Sequence, residues 1–306
     1  MKKVKDFTSK VSFDIAQFEN LGFQSTELVR SAKIMSEMKQ DKDCYKIFAF
    51  TANMVASGLR GLFSKWIEYD MTNLVITTGG AIDHDIIKAF SDYEIASFNE
   101  DDSKLFSKGI NRLGNILIDN SRYQLLEKKS QALFKKLYSQ NKKIITPIYL
   151  AKEFGKYIGE NSKHPEESFL YQCYKKNIPV YSPALIDSAL GLQLFFFKQD
   201  HSDFVIDQTG DFSGLAAEIL SAKKTGALIL GGGSSKHFTL GLNLLRGGLD
   251  YASYISTSSE YDGSLSGALP KEAKSWGKVS KKAHSNIVYC EATIAFPLLY
   301  HWVIES

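Results

Sequence analysis

The chain has 306 residues, enough for one large α/β domain or two small ones, and its 44% hydrophobic and 23% charged content is ordinary for a soluble globular protein. A net charge of +3 is too small to argue for nucleic acid, and the pairs Lys142-Lys143, Lys175-Lys176 and Lys281-Lys282 read as solvated faces rather than a phosphate track. Three cysteines, Cys44, Cys173 and Cys290, show no CxxC spacing, which fits a reducing compartment with neither a disulfide framework nor a metal site. The N-terminal MKKVKDFTSK has charge but no apolar run behind it, and no stretch is apolar for long enough to span a bilayer. A cytoplasmic protein without membrane contact is expected.

Residues 1–24 form an N-terminal arm in which Phe13, Ile15, Phe18 and Leu21 are spaced for a short amphipathic segment. Leu28, Ala32 and Met35 predict a helix over 25–38. A run rich in β formers, KIFAFTA, predicts a buried strand over 46–52. A helix over 53–69 and a strand over 73–78 follow. Gly79-Gly80 breaks that strand, and Asp83 opens the next helix at an N-cap-like position. Residues 91–145 are less regular, with a compact apolar loop or turn at 111–118 and a helix over 123–138. Another helix is predicted over 168–176.

From 178 onward the pattern is clearer. A strand over 178–182 leads to a loop, 184–191, that carries Asp187, and 192–197 is strongly apolar. A helix over 212–223 precedes a strand over 226–230, which ends in Gly231-Gly232-Gly233. Then come a helix over 235–246, strands over 251–256 and 286–290, and a closing helix over 292–302. Short apolar strands alternating with helices predict an α/β fold, a mainly parallel sheet with helices on both faces, as one domain over 25–306.

In such a sheet, ligands bind at the carboxyl ends of the strands. Thr77-Thr78-Gly79-Gly80, Gly231–Gly233 with Lys236 and His237, Ser256-Thr257-Ser258 and Glu291-Ala292 all follow predicted strands, and residues 51–57 play the same part early in the chain. Glycines there let backbone N–H groups approach a pyrophosphate. No GxGxxG is present, so the set of strand ends points to a dinucleotide better than any single one does. His237, near a helix start, has a side chain whose ordinary pKa suits a general base. The remaining histidines show no HxH or HxxxH spacing, and no zinc site is expected.

The most unusual stretch is 261–278, YDGSLSGALPKEAKSWGK. A lysine acts as a nucleophile only after losing its proton, and burial beside an aromatic ring favours that loss. More than one helical turn over 271–276 would put Glu272 and Trp276 on one face at i,i+4 spacing. An acid, a ring and Lys278 could then surround a small cationic substrate.

The segment DGSLSGALPKEAKSWGK resembles the active-site segment of the deoxyhypusine synthase family, whose pattern runs DGSDSGA and then P-E-A-SWGK. The resemblance extends over about 46–299 and is densest in IPVYSPALIDSALG, TGALILGGGSSKH, NLLRGGLDYASYISTSSEYDGSLSGA and VYCEATIAFPLL. It implies a Rossmann-like doubly wound fold, an NAD cofactor, and a homotetramer with active sites at subunit interfaces. It also implies a reaction. Hydride passes to NAD from the carbon beside the secondary amine of spermidine. An active-site lysine takes up the imine as diaminopropane leaves, and the aminobutyl group moves to an acceptor amine, where NADH reduces the new imine.

By position, Lys278 would be the imine-forming nucleophile, Trp276 a wall of the amine channel, Glu272 the anchor of an ammonium end and His237 the base. Asp83, His84, Gly263, Ser264 and Tyr254 would contact substrate. Asn53, Ser57, Thr78, Gly79, Gly80, Asp187, Gly232, Thr257, Ser258, Asp262, Ser266, Glu291 and Ala292 would line the NAD site.

Three departures bear on the substrate. Leu265 stands where the family pattern DGSDSG has its second acid, and Leu192 stands where DGSLGD has its last. His84 occupies one of two acidic positions after TTAGGV. A buried ammonium without a carboxylate partner costs roughly several kcal/mol, so a polycation would sit differently here. The resemblance therefore favours an NAD-dependent aminobutyl transferase acting on a polyamine or related amine, with a small amine such as putrescine as acceptor. The alternatives are a true deoxyhypusine synthase modifying a translation-factor lysine, and a non-catalytic NAD-binding oligomer.

Overall fold

A computed structural model describes residues 2–3 and 15–305. Phe13 of the expected arm lies outside the described residues, and the described part of the arm contains a 3-10 helix, Ile15–Asn20. The chain forms two compact units. One comprises Ala52–Ser64 and Thr78–Thr209 together with residues 2–3. The other comprises residues 15–51, Lys65–Thr77 and 210–305.

The second unit is built on a parallel sheet ordered Val279–Tyr289, Leu249–Ser256, Lys224–Leu230, Cys44–Phe50, Leu74–Thr77. These strands are nearly continuous apolar runs because both faces are covered. Phe48 and Phe50 are fully buried on one face, each worth roughly 1.5–3 kcal/mol in apolar burial. Phe48 stacks on Phe296 of the closing helix, Ala292–Glu305, at 5.8 Å and meets Trp66 at 6.0 Å. On the same face the Gln24–Gln40 helix brings Met38 against Gly226, where a Cβ would sit 2.6 Å from the Met38 sulfur. The Gly233–Leu244 helix covers the opposite face, where Lys236 lies over Tyr254. This is the α/β architecture expected, a mainly parallel sheet flanked by helices.

The other unit is mostly helical, with Gly79–Lys88, Asn120–Ser139, Pro147–Asn161, Phe169–Lys176 and Ala189–Asp200. Phe134, Phe154, Phe197 and Phe204 form its aromatic core. Arg60, 1% exposed, donates from Nε to Asp85 at 2.6 Å, and Asp85 also accepts from the Ser168 hydroxyl and the Leu170 amide.

Several boundaries differ from expectation. The helix expected over 53–69 is broken. Its start, Ala52–Met54, passes through a wide turn at Val55–Leu59, where Gly58 takes φ 107°, before Arg60–Glu68 resumes. The 111–118 segment is a hairpin, Ile110–Leu113 paired with Ile116–Asp119. Asp83 does not open a helix. The helix begins at Gly79 with Thr78 as its cap, and Asp83 lies inside it. No helix among the described residues is long and apolar enough to cross a membrane.

Candidate active site

A helix of six residues, Pro270–Ser275, starts with proline at its first turn and ends on Trp276. Gly277 then takes φ 68°. Its amide donates to the Lys274 carbonyl at 3.1 Å, and the Lys278 amide donates to the Ala273 carbonyl at 3.0 Å. This pair of bonds is a Schellman motif, which needs the left-handed residue that glycine supplies without a Cβ penalty. The Lys278 carbonyl accepts from Leu249 at the start of the next strand. Gly248 permits that approach, since a Cβ there would come 2.7 Å from the Val279 carbonyl carbon. The backbone of Lys278 is thus fixed from both sides.

Its side chain is half-buried, with Nζ 5.2 Å from the centre of the Trp276 ring, a cation–π distance for the ammonium form. A cavity of about 350 Å³ is lined by His237, Leu240, Leu265, Glu272, Trp276 and Lys278, with Gly263, Ala268 and Ala273 completing the wall. All four residues named as catalytic from the sequence therefore share one cavity. It opens at the surface: Trp276 is 64% exposed, and Glu272 and His237 are exposed. The burial beside an aromatic ring expected to favour proton loss from Lys278 is only partial within one chain. Glu272 is the one carboxylate among the described lining residues. The apolar contribution of Leu240 escaped the sequence reading, although it sits one helical turn from His237 on the same face.

Other candidates of this unit lie at the carboxyl ends of three adjacent strands. Gly232 is buried flush against Ser266, so that a Cβ would meet the Ser266 Oγ at 2.4 Å, and the Gly233 amide donates to that oxygen at 3.0 Å. Thr257 is exposed and Ser258 half-buried just past Leu249–Ser256. Glu291, past Val279–Tyr289, accepts from the Thr293 amide at 2.8 Å, and Ala292 is buried beside it. Asp262 is exposed, and hydrogen bonds from the Ser264 side chain and amide hold its carboxyl below the ordinary range. Ser264 is also exposed. Tyr254 is fully buried, and burial pushes its phenol up.

In the other unit Asn53 is exposed and Ser57 is half-buried, donating to the Met54 carbonyl at 2.8 Å. Thr78 caps the Gly79–Lys88 helix, and its hydroxyl is buried with no hydrogen-bond partner. Gly79 is packed against the Leu185 carbonyl, which a Cβ would meet at 2.6 Å, and Gly80 lies near Ala52. Asp187 is exposed. Asp83 is 4% exposed, and its two oxygens accept from the Ala189 and Leu190 amides at 2.8 and 3.0 Å. It therefore neutralises the positive end of the Ala189–Asp200 helix. Burial still raises its pKa to about 7. His84 shares a 2.8 Å hydrogen bond with the Tyr93 hydroxyl, and burial, with the Lys88 charge, lowers its pKa to about 4. Its ring is uncharged at neutral pH.

The fold and cavity define a class: a parallel-sheet α/β protein with a lysine, an acid, an imidazole and an indole around one surface cavity. The deoxyhypusine synthase family model matches residues 15–303. A probable deoxyhypusine synthase of Pyrococcus abyssi is 36% identical over 302 residues, covering 95% of this chain and 90% of that protein. One of Thermoplasma volcanium is 41% identical over 296 residues, covering 96% and 93%. A crystal structure of a deoxyhypusine synthase candidate from Entamoeba histolytica shares the fold, with a TM-score of 0.69 at 18% identity, over 99% of this chain and 97% of that one. The chain belongs to the deoxyhypusine synthase family, whose members are NAD-dependent aminobutyl transferases.

Proposed function

We propose that this chain transfers an aminobutyl group from an amine donor through an imine on Lys278, with His237 as base and Glu272 holding the ammonium end of the donor. The observation that carries this reading is the convergence of His237, Glu272, Trp276 and Lys278 on one cavity. Trp276 offers a ring face to a cationic chain. Bound NAD would supply the hydride acceptor and return the hydride at the end. Its proposed holders in the sheet unit are Gly232, Thr257, Ser258, Asp262, Ser266, Glu291 and Ala292. The fit is supported by the glycine-to-helix turn at Gly233, a backbone arrangement suited to phosphate.

The donor is a polyamine or a related amine with less charge. Leu265 gives the cavity an apolar wall where the family pattern carries an acid, and Leu192 is 58% exposed on the Ala189–Asp200 helix. The acceptor reading that follows is a small amine such as putrescine. A second reading, transfer to a translation-factor lysine, is favoured by the description of the 36–41% identical relatives as probable deoxyhypusine synthases. We further propose a homotetramer that closes the cavity. The open rim at Trp276 and the exposed Phe195 and Phe196 support it, since large apolar side chains grouped on a surface mark contacts.

Labelled spermidine, NAD and the purified protein, offered putrescine and a lysine-bearing translation factor in the same vessel, separate the acceptors. Label in a new small polyamine supports the first reading, and label in the protein acceptor supports the second. Label in neither, with NAD bound, would overturn aminobutyl transfer from spermidine.

A further inference from the structure

Lys236 is fully buried, an unusual place for an ammonium. Its Nζ donates to the Ser266 carbonyl at 3.0 Å and to the Ala268 carbonyl at 2.8 Å, and it lies 4.6 Å from the centre of the Tyr254 ring. Two carbonyls and a ring face thus meet the three donors of the ammonium. Burial pulls its pKa down to about 8, and the Glu272 charge works the other way.

The segment it grips has little core of its own. Tyr261, Asp262, Gly263 and Ser264 are exposed, and Tyr261 is 90% so. The segment doubles back so tightly that a Cβ on Gly267 would stand 1.7 Å from the Ser259 carbonyl oxygen. Polar fasteners hold it instead: the Gly233 amide on the Ser266 hydroxyl, and Lys236 on the carbonyls either side of Gly267. Three of its residues, Gly263, Leu265 and Ala268, form part of the wall of the Lys278 cavity.

We propose that Lys236 is a positioning residue that fastens the 259–268 segment to the Gly233–Leu244 helix and so sets the cavity wall that faces Lys278. Its neighbour His237 projects into the cavity while Lys236 holds the wall, so adjacent residues of one helix turn fix both. An apolar side chain of the same length would fill the space but leave two carbonyls unpaired. The consequence for catalysis rests on the aminobutyl-transfer reading; the fastening itself does not.

The test is amide hydrogen exchange on the full chain and on Lys236→Met, with borohydride trapping of the Lys278 adduct in parallel. In Lys236→Met, amides 265–268 should exchange at least about tenfold faster, while the 226–230 strand keeps its protection and adduct formation slows about tenfold or more. Should the variant not fold, the parent protein answers by a pH series. Tyr254 and Glu272 are the titratable groups facing Lys236, and protection of 265–268, corrected for intrinsic rate, should fall from pH 7 to 9.5 as the ammonium is lost. Unchanged protection of 265–268 in a folded Lys236→Met, or across that pH range if the variant does not fold, would overturn the proposal. Exchange needs neither amine nor NAD, so a parent protein that forms no adduct would count against the functional reading alone.

Discussion

The amide of Lys278 donates to the carbonyl of Ala273 at 3.0 Å, closing the end of a six-residue helix. The backbone of the proposed nucleophile is therefore set by a local capping motif, and Gly277 at φ 68° makes that motif affordable.

Gly277→Ala should accordingly destabilise the protein by about 1–2 kcal/mol, the cost of a Cβ in the left-handed region. Adduct formation at Lys278 should fall further than stability does, by about tenfold or more, because a small displacement of a reacting group is costly. Chemical denaturation and single-turnover trapping measure the two effects separately.

Leu265→Asp should alter the choice of amine. A carboxylate on the half-buried wall adds a partner for a second ammonium, worth about 1.4 kcal/mol or tenfold in KM for spermidine relative to a diamine. The preference should weaken at high salt. Competition between the two amines reads it directly, and an unchanged ratio would show that this wall does not contact the donor.

Asp83 offers a pH test. Its folded pKa, raised by burial to about 7, lies above the unfolded carboxylate value near 3.9. The folded state therefore binds more protons between these values, and this group's contribution to stability falls as pH rises from about 4 to about 7. Asp83→Asn should remove that slope, while Asp83→Ala, leaving the Ala189 and Leu190 amides unpaired, should cost about 1–3 kcal/mol. Urea midpoints at a series of pH values check both.

Arg60→Ala should be among the most damaging changes within its own unit. It leaves the Asp85 carboxylate buried without its 2.6 Å partner, and breaking such a pair costs about 3–5 kcal/mol. A lowered denaturation midpoint with normal amine selectivity in the surviving fold is the expected outcome.

The sheet was largely legible in the sequence because strands covered on both faces are written as apolar runs, as in 46–52 and 226–230. Ends were less so: Val279–Tyr289 begins seven residues before its expected start at 286, since Lys281, Lys282 and His284 hide its first half. Leu192–Phe197 read only as apolar, and periodicity cannot separate a buried strand from a helix at that length. The break at Gly58 depends on one backbone angle that composition does not encode. The cavity was legible as a set of residues, Lys278, Trp276, Glu272 and His237, yet its openness was not. Nothing in the sequence showed that Asp83 would be spent on capping the Ala189–Asp200 helix, or that Lys236 rather than its neighbour His237 would be the buried one.

The most direct measurement is borohydride reduction of the protein incubated with NAD and an oxidisable amine, followed by mass spectrometry of the tryptic peptides. An aminobutyl adduct should appear on Lys278, depend on NAD, and be absent from Lys278→Arg. An adduct on another lysine, or none with any amine in the presence of bound NAD, would contradict the assignment of Lys278 as the nucleophile.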